Sequence, residues 1–140
     1  MQGSGSLMEI EEALFSRLST FTGLSALVGS RIYPMLMPQN CVNPAITYQK
    51  ISGAVVQAFQ KDTNLAHPIF QVSCWGKTYQ EVKGVAKQIK LALRDFSGLM
   101  GGAVPVSAVL IQGEVDDYET DSKTFSIKID FEIWHEEAET

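Results

Sequence analysis

The side chains able to do chemistry are few and scattered. His67 and His135 lie far apart in the chain, and neither sits in a recognisable motif. Cys41 and Cys74 have no second cysteine or histidine at metal-ligand spacing. They read as reduced thiols, with Cys74 packed inside an apolar strand. There is no nucleophile elbow and no glycine-rich phosphate loop. The expectation is a protein that is not an enzyme and uses no metal or cofactor. Glu114, Asp116, Asp117, Glu119 and Asp121 are dense enough to suggest calcium, but Tyr118 interrupts them and the Asp-x-Asp-x-Asn-Gly spacing is missing. They read as an acidic turn, a solvated hairpin tip.

What remains is charge placed for contact. Lys83, Lys87, Lys90 and Arg94 recur at i, i+4, i+7 and i+11, one face of a helix. Opposite charge gathers further on, where Asp130 and Glu132 join the acidic group and the chain ends in Glu136, Glu137 and Glu139. Two readings stand side by side. The lysine row is either an ordinary solvated face or one half of a head-to-tail subunit contact whose other half includes Asp130 and Glu132.

The elements that position these groups come from periodicity. Phe125 to Ile133 alternates strictly, which puts Phe125, Ile127, Ile129, Phe131 and Ile133 on one face of a strand and Ser126, Lys128, Asp130 and Glu132 on the other. Residues 45–51 and 69–75 read as further strands, with Phe70, Val72 and Cys74 sharing a face, and 106–112 as another. Thr78-x-x-Glu81 is a capping box for a long helix whose stripe is Val82, Val85, Ala86, Ile89, Leu93 and Phe96. Ile10, Leu14 and Leu18 mark a first helix with Glu9, Glu11 and Glu12 at its positive end. Gly23 interrupts it before a short turn to Gly29. Residues 31–38 read as an extended link and 99–102 as a flexible exit. The fold class is α+β: a mostly antiparallel sheet with one long and one shorter helix packed on one face.

Size and composition set the bounds. A chain of 140 residues is one domain's worth, and 45% hydrophobic with 19% charged residues is ordinary for a globular protein. A net charge of -5 argues against general nucleic-acid binding, and no apolar run is long enough for a membrane span. Residues 1–7 read as a flexible linker or cloning remnant, residues 8–136 as a single domain and 137–140 as an acidic tail. The opening residues do not resemble a signal peptide. Residues 53–66 are ambiguous. Val55, Val56 and Phe59 followed by Lys61 and Asp62 suit either an ordinary hairpin or an arm that reaches a neighbour.

Taken in order, the segments Ala26-Leu-Val-Gly-Ser-Arg-Ile-Tyr-Pro34, Pro44-Ala-Ile-Thr-Tyr-Gln-Lys-Ile-Ser-Gly53, Phe70-Gln-Val-Ser-Cys-Trp-Gly-Lys-Thr-Tyr79 and Asp130-Phe-Glu-Ile-Trp-His135 carry a resemblance. Over residues 9–136 the chain resembles the tail completion family of long-tailed phages and prophages, the tail-to-head joining or tail terminator proteins. The resemblance implies a homo-oligomeric ring, usually a hexamer, assembled in the bacterial host cytoplasm and resident in the virion. It implies tail tube and head–tail connector proteins as partners, no sequence-specific nucleic-acid contact, no membrane and no catalytic residues. A head-side connector or head-completion protein is the alternative of the same kind. A small-ligand-binding domain is the alternative of another kind, and a ring set against a strict monomer separates them.

Overall fold

Two capping interactions start the main helices. In α1 (Ile10–Thr20) the Glu9 and Glu12 side chains cap each other's backbone N–H groups, Glu9 N–H donating to Glu12 Oε1 at 3.0 Å. In α3 (Tyr79–Leu93) the Glu81 N–H donates to Thr78 Oγ1 at 3.1 Å. The Glu81 carboxylate reaches one residue further back than a capping box requires, accepting from the Lys77 N–H at 2.9 Å. Between them, α2 (Thr22–Val28) ends at Gly29, whose φ of 59° lies in the left-handed region.

The computed structural model describes residues 8–53, 55–57 and 62–137. Among these residues eight strands form one sheet: β1 (Ile32–Pro34), β2 (Ala45–Ser52), β3 (Val55–Gln57), β4 (Asp62–Ala66), β5 (Ile69–Gly76), β6 (Gly98–Met100), β7 (Val104–Glu119) and β8 (Thr124–Glu136). All neighbours are antiparallel except β1 and β2. β8 is the centre, with β7 along one side and β5 then β4 along the other.

β4 and β5 are one strand with a break. Ala66 opposes His135 and Ile69 opposes Glu132, so a single register runs along β8. Pro68 lacks an N–H for the ladder, yet its carbonyl still accepts from the Ile133 N–H at 2.9 Å. β2 and β3 run beside β5 and β4 in the same manner. The described parts of segment 53–66, β3 and β4, therefore pair with each other as two antiparallel strands of a hairpin. Val55, Val56 and Asp62 lie on its two strands, whereas Phe59 and Lys61 lie outside the described residues.

The core sits between one face of this sheet and the three helices. Ile127, Ile129, Phe131 and Ile133 of β8 meet Phe70, Val72 and Cys74 of β5 and the α3 stripe, all buried except the half-buried Phe96 beyond the helix end. α1 adds Leu14 and Leu18. Each large side chain buried there stabilises by roughly 1.5–3 kcal/mol before entropy.

Four expectations need correction. There are three helices among the described residues, not one long and one shorter. The link at 31–38 contains β1, because Ile32–Pro34 pairs in parallel with Ile46–Tyr48 and buries Ile32. The exit at 99–102 contains most of β6, whose Met100 is fully buried in the core. The acidic residues from Glu114 to Glu119 form strand rather than turn, and the chain reverses only after Glu119. Pairing with groups on α3 and β8 offsets their poor strand propensity.

Candidate functional site

Cross-strand neighbours share a face, so register assigns every charge to a side. Glu114 opposes Ile129 and Asp116 opposes Ile127, which places both acids on the helix side of β7. Glu114 Oε1 accepts from Lys90 Nζ at 2.9 Å, and the Asp116 carboxylate accepts from Tyr79 Oη–H at 2.6 Å. That bond, with some desolvation, holds the Tyr79 hydroxyl protonated above its usual range. Asp117 points to the other side, 3.5 Å from Lys128. Surface pairs of this kind stabilise by about 0–1 kcal/mol each, and those of Lys90 with Glu114 and Tyr79 with Asp116 align α3 with β7.

The predicted lysine row is thereby divided. Lys90 is engaged within the chain, and Lys83 stands 5.7 Å from the Tyr79 ring centroid. Lys87 and Arg94 are exposed, and their side chains make no polar contact among the described residues. Between α3 and β7 runs an open groove of about 530 Å³, lined by Lys83, Ala86, Lys87, Lys90, Leu91 and Arg94 and by Glu114.

Asp130 and Glu132 lie across the sheet from that groove. Gln71 donates to Asp130 at 3.1 Å. Glu132 is held by His67 Nδ1 at 3.1 Å and by Gln112 at 3.1 Å, while His67 stacks on Trp134 at 4.2 Å between centroids. The structure thus does not bring the two halves of the candidate interface together within one chain; it sets them on opposite faces.

One surface escaped the reading of motifs. Met35, Leu36 and Met37 come directly after β1 and border a shallower groove of about 270 Å³ with Trp75, Thr47 and Glu119. Leu36 is 79% exposed, and Met35 takes a φ of 68°, left-handed for a residue that is not glycine. The signal was present: three large apolar residues between Pro34 and Pro38, too few for an element and too apolar for an ordinary loop.

Cys74 shows the contrasting case of a reactive group put out of use. It is fully buried, its Sγ–H within reach of the Val82 carbonyl at 3.4 Å and the Ile127 carbonyl at 3.6 Å. Burial pushes the thiol up to about 12 from 9.0. A raised folded-state pKa adds stability that is complete below pH 9 and lost as the pH climbs toward 12. An alkylating reagent at pH 8 is therefore expected to label only the half-buried Cys41 in the native protein, and both thiols in denaturant. Mass spectrometry counts the labels, and native labelling of Cys74 would contradict its placement.

The family described as tail completion protein gp17 matches residues 12–136. No curated protein sequence matches the chain. Among solved structures, a chain of the virion of a native gene transfer agent particle superposes with a TM-score of 0.74 at 15% identity, covering 96% of this chain and 99% of that one. At that identity the likeness concerns the fold. Among the described residues the family match takes in every strand, α2 and α3 in full and all of α1 but its first two residues, and on it the chain belongs to the tail completion protein gp17 family, structural proteins of phage tails.

Proposed function

We propose that this protein assembles into a ring on the head-proximal end of the tail tube, with six copies as the number the family resemblance implies. There it ends tube polymerisation and offers a surface to the head–tail connector. The observation that carries this reading is the family match over residues 12–136. The distribution of surface chemistry supports it. Lys87 and Arg94 stand exposed on the helix side, Asp130 and Glu132 on the opposite sheet face, and an apolar loop lies at Met35–Met37, so one subunit presents unlike surfaces in different directions. Unlike surfaces favour heterologous contacts, which close into rings when the rotation permits. Lys87 and Arg94 are the cations we assign to a neighbouring subunit. Lys83 and Lys90 support them, and Asp130 and Glu132 would share their present partners with that neighbour. Val55, Val56 and Asp62, at the far end of the hairpin with Phe59 and Lys61 between its strands in sequence, are assigned to contact with a neighbour or the tube.

Deleting the gene tests the role. The expected particles are heads lacking tails beside tubes of unregulated length, both corrected by supplying the protein in trans. Normal-length tails joined to heads in its absence would overturn the reading. Fractionation separates the head-side alternative: a tail terminator purifies with headless tails, a head-completion protein with tailless heads.

A further inference from the structure

The sheet is open, and its two edges are unlike. On one side β1 covers only Ile46–Tyr48 of β2, so Gln49–Ser52 and β3 beyond have no outer neighbour among the described residues. On the other, β6 covers only Val104–Val106, which leaves β7 from Ser107 to Glu119 without one among those residues. An uncovered edge is a template for another strand.

Two bulges interrupt the β7 ladder, between Val106 and Ala108 and between Ile111 and Gly113. From Gly113 to Glu119 the pairing is regular. The Tyr118 N–H donates at 2.8 Å to the carboxylate of its own neighbour Asp117, which marks it as an amide turned to the open side. Alternation along an antiparallel strand gives Asp116 and Glu114 the same outward backbone. This is the stretch geometrically ready to accept a strand, and Asp117 stands in for the missing acceptor.

Charge selects the occupant. The stretch carries Glu114, Asp116, Asp117 and Glu119, so two β7 edges paired with each other would set carboxylate against carboxylate. Gln49–Ser52 has no acid and one lysine, Lys50, which within the chain pairs with Glu11 at 3.2 Å, and its ladder with β5 is bulged between Lys50 and Ser52. The β7 edge is therefore mismatched to itself and compatible with the acid-free β2 edge. A contact between one edge and the opposite edge of a copy is heterologous, the kind that closes a ring.

We propose that the β7 edge from Gly113 to Glu119 pairs with the β2 edge at Gln49–Ser52 of a second copy, continuing the sheet from subunit to subunit. This rests on the ring reading and adds the contact that builds the ring. On pairing, the Tyr118 amide exchanges the Asp117 carboxylate for a main-chain carbonyl of the neighbour.

The test uses full-length protein in assembled tails, in a Cys41→Ser background. Gln49→Cys or Ser52→Cys is combined with Val115→Cys or Asp117→Cys, and a short thiol-to-thiol reagent is added. At least one double variant is expected to give a ladder of multimers ending at the ring, while single variants stay monomeric. Rings visible by negative stain in which no double variant cross-links to itself would overturn the edge pairing alone. Strong dimers from Val115→Cys alone would overturn it in favour of a two-fold contact, and cross-links only to another tail polypeptide would assign the edge to that partner instead. Absence of any ring from the unsubstituted protein would overturn the ring reading as well. A second variant, Asp116→Pro, removes one outward amide and spares the β8 ladder. It is expected to keep the native circular dichroism spectrum and lose ring assembly. Native-level assembly would count against the proposal.

Discussion

Phe131→Ala is expected to remove about 3–5 kcal/mol of stability, the range for truncating a buried aromatic. Phe131 is fully buried on the central strand, opposite Phe70 of β5 on one side and Ile111 of β7 on the other. Phe70 belongs to a strand paired on both flanks, by β2 and by β8, so the cavity cannot readily collapse on that side, and the cost falls toward the upper end. Domains of this size hold about 5–15 kcal/mol in total, so the variant sits near the threshold of unfolding. Glu132→Ala, one residue on, is the control. Its carboxylate faces the opposite side, and losing the His67 and Gln112 contacts costs about 1 kcal/mol or less. Urea unfolding of both variants measures the difference. Equal losses would mean that the alternation of β8 does not divide core from surface.

That alternation was the most legible part of the chain, for a physical reason. A strand with one buried face has a period of two, and a helix cannot mimic that period over a run as long as Phe125–Ile133. The α1 and α3 stripes were legible on the same grounds, and so was the Thr78 cap of α3, although the Glu81 carboxylate reaches Lys77 rather than closing the capping box. β1 and β6 were not, because each has three residues and exists through its partner rather than through its own pattern. The far half of β7 was hidden differently. Its acids read as turn chemistry, yet Glu114 and Asp116 are answered by Lys90 and Tyr79 from a helix distant in sequence. The candidate surface divided along the same line. The lysine row was visible by spacing, but which lysines stay unpaired depends on a strand whose position the local sequence does not reveal.

The β6–β7 turn carries the second large effect. Met100 O accepts from the Ala103 N–H at 3.2 Å, and the two residues between, Gly101 and Gly102, have φ of 66° and 76°. Positive φ at both central positions is the condition of a type I′ turn, and a side chain there costs roughly 1–2 kcal/mol. The two glycines differ in what surrounds them. A Cβ on Gly102 meets nothing within 4 Å, whereas one on Gly101 stands 3.0 Å from the backbone Cα of Ala13 in α1. Ala13 is itself fully buried and cannot yield without moving the helix. Gly102→Ala is therefore expected to cost only the backbone term. Gly101→Ala adds an overpacking term of about 1–3 kcal/mol and should lower the melting temperature further. Thermal unfolding of the pair reads the difference directly. If the two substitutions cost the same, α1 does not pack against this turn, and the link by which the N-terminal helix is held to the β6–β7 edge of the sheet is lost.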